Sequence, residues 1–308
     1  MADQVIEVSR VSKHFGEIRA VDDVSLAVER GELFGLIGHN GAGKSTLFKM
    51  MLGLLPLSSG EIRINGRSVQ GRDFREVRRG VGYLPENVVL YDNLTGLETL
   101  HFFAGLKGVA LSDCRPVLDK VGLKHAAGRR VRGYSKGMRQ RLGFAQALLG
   151  KPSLLFLDEP TTGLDPEGIR EFYRILHELR AQGVTAILTS HILAEIQERV
   201  DRLAVMRSGQ IQALGTVQAL REEMDLPLHL VIRPKEGELA GLLEGLAAHG
   251  LAGAEVVNCQ VVLACPREEK VSLLHLASAF APKIADFHIR EPSLEDVFLG
   301  HGAAGKEK

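Results

Sequence analysis

Gly38-His39-Asn40-Gly41-Ala42-Gly43-Lys44-Ser45 fits the pattern GxxxxGK[ST], between an apolar run, ELFGLI, and a helix-spaced one, STLFKMML. The chemistry explains the spacing. Glycines let the backbone curl until successive N–H groups face one phosphate, and the positive end of the following helix strengthens the field. Lys44 would reach the β- and γ-phosphates of a nucleoside triphosphate, and the Ser45 hydroxyl would ligate Mg²⁺. The expected nucleotide-binding set is Gly38, Asn40, Gly41, Ala42, Gly43, Lys44, Ser45 and Thr46.

Two further stretches complete a hydrolytic set. Leu154-Leu155-Phe156-Leu157 is a fully apolar strand that delivers Asp158 and Glu159 to a sheet edge. Asp158 would hold the Mg²⁺ shell, and Glu159 would polarise an attacking water. One strand later, VTAILTSH ends in His191. In parallel sheets ligands gather at the carboxyl ends of strands, so His191 would touch the γ-phosphate.

A third stretch, GYSKGMRQRLGFAQALLG (residues 133–150), opens with basic residues and closes as a helix. Ser135 and Gly137 stand at that helix start, where a hydroxyl and a bare backbone can both approach an anion. The basic cluster Arg129, Arg130, Arg132, Lys136, Arg139 and Arg141 also suggests nucleic acid. Against that, the helix continues into an apolar face and no aromatics interleave the charges. The whole chain has 38 basic and 38 acidic residues, a net charge of zero, so a nucleic-acid partner is not expected.

The elements that position these residues read as follows. VIEVSRVSKHF, IRAVDDVSLAVE and ELFGLIG are strands, and residues 92–128 are mostly helical. SLLFLDE, EGIREFYRILHELRAQG and VTAILTSH form a βαβ unit with parallel strands. Past residue 220 the texture changes: REEMDLP reads as a linker, followed by strand, helix, strand, strand, helix and strand, a βαββαβ order resembling a ferredoxin-like domain. HGAAGKEK reads as a disordered tail.

Composition agrees with a globular α/β chain: 308 residues suggest two domains, and 45% are hydrophobic. No apolar run approaches the roughly 20 residues needed to span a bilayer, and no signal peptide opens the sequence. The three cysteines, Cys114, Cys259 and Cys265, form no CxxC pair, which suits a reducing cytosol. Cys259, Cys265, Met50 and Met51 read as core or strand-edge residues rather than a copper site.

Taken together, these motifs resemble an ABC-transporter nucleotide-binding domain over about residues 4–220. Tyr134-Ser135-Lys136-Gly137-Met138 occupies the place of that family's Leu-Ser-Gly-Gly-Gln signature, with Lys136 and Met138 as departures. The resemblance implies a P-loop NTPase fold: an antiparallel β subdomain, a helical subdomain at about 87–150, and a C-terminal α+β domain at 221–300. It implies ATP and Mg²⁺ as cofactors. It also implies that Ser135 and Gly137 contact the γ-phosphate bound to the other subunit, that Phe15 stacks on adenine, and that Asp165 links the two sites across a dimer. Glu86, in GYLPE, stands where the family has Gln and would lie near Mg²⁺. The implied assembly is a homodimer beneath an integral membrane permease, cytoplasmic and peripheral on the inner face of the membrane.

GHNGAGK, GYLPENV, residues 133–150 and EPSLEDVF further resemble the ATPases of nitrous-oxide-reductase maturation, the NosF type, which implies a periplasmic accessory protein and a role in copper–sulfur-centre assembly. YSKGM, YLPE and PSLEDVF also occur in related ABC-2 exporter ATPases for drugs, lipids or polysaccharides, so that alternative stays open, as do a soluble nucleic-acid-directed ATPase and a ligand-sensing C-terminal domain.

Overall fold

The computed structural model describes residues 3–223, 228–248, 253–266 and 269–290. The chain divides into two units, Met1–Val217 and Gln218–Lys308.

The first unit opens with a hairpin of β1 (Gln4–Phe15) and β2 (Ile18–Glu29), then β3 (Leu33–Ile37) leads through the glycine loop into α1 (Lys44–Met51). Next come β4 (Ser59–Ile64), β5 (Arg67–Ser68), α2 (Phe74–Arg79) and β6 (Val81–Leu84). A helical segment follows, with α3 (Gly96–Lys107), α4 (Cys114–Lys120) and α5 (Lys136–Leu148). The unit closes with β7 (Leu154–Leu157), α6 (Pro166–Ala181), β8 (Thr185–Ser190), α7 (Leu193–Ile196), β9 (Arg202–Arg207), β10 (Gln210–Gly215) and the start of α8 (Val217–Glu223).

These strands make two sheets. One is antiparallel in the order β2-β1-β4-β5, the other six-stranded in the order β10-β9-β3-β8-β7-β6. In the larger sheet β9, β3, β8, β7 and β6 run parallel to their neighbours, and β10 closes the edge antiparallel. Every residue of β3, β7 and β8 is buried, as strands covered on both faces require. The pairing of Ile37 with Ser190 and of Leu157 with Leu188 brings three carboxyl ends to one edge.

The core sits under that edge. Leu47, Phe48, Met50 and Met51 of α1 are fully buried, and the Phe48 ring packs edge-on against Phe156 of β7 at 5.4 Å. Full burial of such a side chain contributes about 1.5–3 kcal/mol, so α1 is anchored directly behind its own N-terminus. Met50 and Met51 are therefore core residues. Side-chain caps set the starts of α3, α5 and α6. Thr95 and Glu98 form a reciprocal capping box on α3, and Ser135 and Asp165 accept from the third helical N–H of α5 and α6.

In the second unit, β11 (Leu228–Pro234), α9 (Leu239–Ala248), β12 (Glu255–Val257), β13 (Gln260–Cys265), α10 (Lys270–Ala279) and β14 (Ile284–Arg290) follow in that order. The sheet order is β12-β13-β11-β14 with every pairing antiparallel, the ferredoxin-like arrangement. Leu228, Leu230 and Ile232 of β11 pack with Leu242 and Leu246 of α9 in a core of their own.

Residues 221–223, expected to open a linker, instead end α8, because Leu220 is buried and holds the helix in place. The unit boundary falls inside that helix, three residues before the expected one at 220/221. The remainder of the linker, the EPSLEDVF segment and the tail at 301–308 lie outside the described residues.

Candidate functional site

The glycine loop joins β3 to α1 and curls tightly. Gly43 has φ 105°, and a side chain there would collide with the Ala20 carbonyl, so both handedness and space demand glycine. Lys44, 5% exposed, folds back so that its ammonium donates to the Gly38 carbonyl and, at 3.3 Å, to that of His39. Burial pushes its pKa down, and the acids Glu159, Asp158 and Glu86 pull it back up. An amine held by backbone carbonyls beside a concave run of N–H groups is placed to transfer to phosphate oxygens.

Asp158 and Glu159 follow β7 directly and are both buried. Thr189 of β8 connects them: its hydroxyl donates to Asp158 Oδ1 at 2.7 Å and accepts the Glu159 N–H at 2.8 Å. Burial drives the Asp158 carboxyl above the ordinary range, opposed by hydrogen bonds from Thr189 and Ser45. Glu159 has φ 47°, in the left-handed region. Its Oε1 lies 3.6 Å from Lys44 Nζ and its Oε2 2.8 Å from His191 Nδ1. A carboxylate at Glu159 accepts Nδ1–H, and His191 would donate to a phosphate oxygen only where Nε2 carries a proton as well. Mg²⁺ fits the donors present. The Ser45 hydroxyl and the Asp158 carboxylate are hard oxygen ligands in contact with one another, and a buried carboxylate with a raised pKa is one that a cation relieves.

That raised pKa carries a measurable consequence. Below the ordinary carboxylate pKa, Asp158 is protonated in both the folded and unfolded states and costs nothing. As pH rises through the window up to the raised folded value, the folded state loses stability. Asp158→Asn in EDTA should therefore melt higher than wild type at pH 7–8, with the gain vanishing near about pH 4. Differential scanning fluorimetry across that range checks it; an unchanged or lowered melting point at pH 8 contradicts the assignment.

An open cleft of about 490 Å³ takes in Asn40, Lys44, Ser45, Thr46, Glu159 and Glu86, with Phe15 on its rim. Phe15 is 48% exposed at the end of β1, so core packing does not account for it. Glu86 is exposed just past β6. The Tyr83 hydroxyl nearby is pushed up to about 12 by burial and by the charges of Asp158 and Glu86.

Ser135, Gly137 and Asp165 are elsewhere. They line a second cleft of about 510 Å³, together with Lys136, Leu164 and Arg141, and no described residue lines both clefts. Lys136 lays its methylenes against Gly163: a side chain added at Gly163, where φ is 83°, would approach Lys136 Cδ to 2.7 Å. The basic residue that departs from the signature thus packs on the loop carrying Asp165.

Two contributors escaped the sequence reading as site residues. Thr189 joins the two acids, and buried Gln140 donates to the Pro160 carbonyl at 3.0 Å, tying the signature helix to the loop after Glu159. The available signal for Gln140 was its place on an apolar stripe with Phe144 and Ala147, since a polar side chain at a core position needs a partner.

Residues 21–162 match the family described as ABC transporter. The chain is 36% identical to the uncharacterized ABC transporter ATP-binding protein YhcH of Bacillus subtilis, over 99% of this chain and 98% of that protein. It is 30% identical to the linearmycin resistance ATP-binding protein LnrL of the same organism, over 96% and 97%. The solved structure of an ATP-binding subunit of an ABC transporter superposes with a TM-score of 0.65 at 34% identity, covering 71% of this chain and 93% of that one. The P-loop NTPase fold anticipated from the motifs is thereby established for the cassette. The chain belongs to the ABC transporter family as an ATP-binding subunit, an ATPase that uses ATP with Mg²⁺ and couples its hydrolysis to transport.

Proposed function

We propose that two copies of this chain close head to tail around two Mg·ATP and drive a membrane permease that exports an antibiotic-like small molecule. The separation of the two clefts carries this reading. Lys44, Ser45 and Glu159 are in one and Ser135, Gly137 and Asp165 in the other, so a second copy supplies what each cleft lacks. Phe15 stacks on the adenine, Lys44 and the loop N–H groups hold the phosphates, and Ser135 with Gly137 reaches the γ-phosphate from the opposite copy. Ser45 and Asp158, with Glu86 nearby, would hold Mg²⁺, which would neutralise phosphate charge. Glu159 takes the proton of the attacking water while His191, held at 2.8 Å, positions the γ-phosphate under attack, and the bond to the β-phosphate oxygen breaks with ADP as the leaving group. Closure is an equilibrium biased by contacts made only in the closed form, and hydrolysis removes them.

Among the described residues no helix is long and apolar enough to cross a membrane. The chain works from the cytoplasmic side, held at the inner face by its permease. The antibiotic-export reading draws on the resistance role named for LnrL, which matches almost end to end. The nitrous-oxide-reductase maturation role, with its periplasmic partner, is a second reading that rests on motif resemblance alone.

Dilution tests the pairing. At saturating ATP, ATPase activity per mole of chain should fall about tenfold for each tenfold dilution once dimers are the minor species. Constant specific activity across three decades of protein concentration would rule the pairing out.

A further inference from the structure

Among the described residues, three buried side-chain atoms have no hydrogen-bond partner: Tyr173 Oη, Glu195 Oε1 and Arg199 Nη1. They are close neighbours. The Arg199 guanidinium lies over the Tyr173 ring, 4.4 Å from its centroid. Tyr173 is 3% exposed, and its hydroxyl is pushed above its ordinary pKa by burial and then by the charge of Glu195, with a smaller contribution from Glu159. Buried polar groups are nearly always bonded, and each exception calls for a reason. Here three exceptions occur on residues that act on one another, and their capacities are complementary: two donors, Tyr173 Oη and Arg199 Nη1, and one acceptor, Glu195 Oε1.

Their positions in the chain tie them to the reaction. Glu195 is four residues past His191, on the four-residue helix α7, and Arg199 follows shortly after. Tyr173 is on α6, which packs against β8 and is a separate, long element. At the end of β8, just before His191, the chain turns at Ser190, whose hydroxyl accepts the Ile192 N–H at 3.0 Å, and only Ile192 separates His191 from α7. Leu193 and Ile196 are buried and Ile192 is 40% exposed. Buried Leu193 and Ile196 anchor α7 one residue past Ile192, so the seating of this short helix sets the placement of His191.

We propose that Tyr173, Glu195 and Arg199 are positioning residues for ATP hydrolysis: side-chain adjustment lets Glu195 accept hydrogen bonds from Tyr173 Oη and Arg199 Nη1, and these bonds brace α7 so that His191 keeps its 2.8 Å contact with Glu159 during attack. None of the three touches the reacting atoms. They act through the placement of His191, so their removal lowers the rate of the chemical step rather than the affinity for nucleotide.

The test compares Glu195→Ala, Glu195→Gln and Tyr173→Phe with wild type, measuring kcat and KM for ATP and the Kd of a fluorescent ATP analogue. Glu195→Ala should lower kcat about tenfold with Kd within about twofold. Glu195→Gln keeps the acceptor oxygen and should restore at least half of the lost rate, and Tyr173→Phe should show a partial loss of about threefold. Wild-type kcat in Glu195→Ala overturns the proposal. So does a parallel loss of kcat and nucleotide binding that Gln does not rescue, which would mean damage to the fold. If Glu195→Ala does not accumulate as folded protein, Tyr173→Phe decides alone, since it deletes one hydroxyl from a side chain that keeps its packing: unchanged kcat overturns the proposal, and a lowered kcat with unchanged Kd supports it.

Discussion

Glu159→Gln should reduce ATP turnover by at least about a hundredfold while leaving ATP binding intact or tighter. The amide matches the carboxylate in size and can still meet His191, now 2.8 Å away, so the buried site keeps its packing. It cannot take a proton from water, and that loss falls on the chemical step. The effect on binding has the opposite sign. The Glu159 carboxyl group stands 3.6 Å from Lys44 and lines the cleft proposed to receive the phosphates. Removing its charge relieves repulsion toward a triphosphate and frees Lys44 from a competitor. The variant should consequently hold ATP in a long-lived dimer, visible by size-exclusion chromatography with ATP and Mg²⁺. Turnover above a tenth of wild type, or a monomer at saturating ATP, contradicts the role assigned to Glu159.

The second large effect concerns the two clefts. Lys44→Ala should be inactive because the phosphate cleft loses its buried ammonium, and Gly137→Asp should be inactive because a carboxylate then stands where a phosphate must approach. Mixed in equal amounts, the two variants should recover activity. Random pairing makes half of the dimers mixed, and in each of those one site combines an intact phosphate loop from one copy with an intact signature from the other, so about a quarter of all sites are whole. Recovery well above either variant alone, measured as phosphate release after mixing, is the expected result. No recovery at any ratio would mean that each copy uses its own Ser135 and Gly137.

How much of this was readable beforehand differs by element. The strand–loop–helix context of residues 38–45 is legible because three signals coincide: a continuous apolar strand, glycines, and a helical period. The buried strands β7 and β8 are legible for the same reason, and the second unit shows its order through alternating short runs. The strands β4, β5, β6, β9 and β10 are not legible in the sequence. β10 alternates between exposed and half-buried positions, and β4 buries only two of its six residues, so neither offers a strong period. β5 is two residues long and exists only through its pairing with β4. At the site, residue types mark Asp158, Glu159 and His191, but the bridging of both acids by Thr189 depends on neighbouring strands and their register, which local sequence does not encode. The separation of the two clefts is likewise a property of the folded chain. In the sequence it is visible only by analogy with the family.

The backbone at Glu159 bears on how this protein can be engineered. Its φ of 47° suits glycine or asparagine, and an ordinary side chain there is disfavoured by roughly 1–2 kcal/mol. A directed-evolution campaign scored only on heat tolerance would accordingly be drawn to Glu159→Gly and would collect robust, inert molecules. Any such library needs a catalytic gate at every round, because at this residue durability and turnover pull in opposite directions.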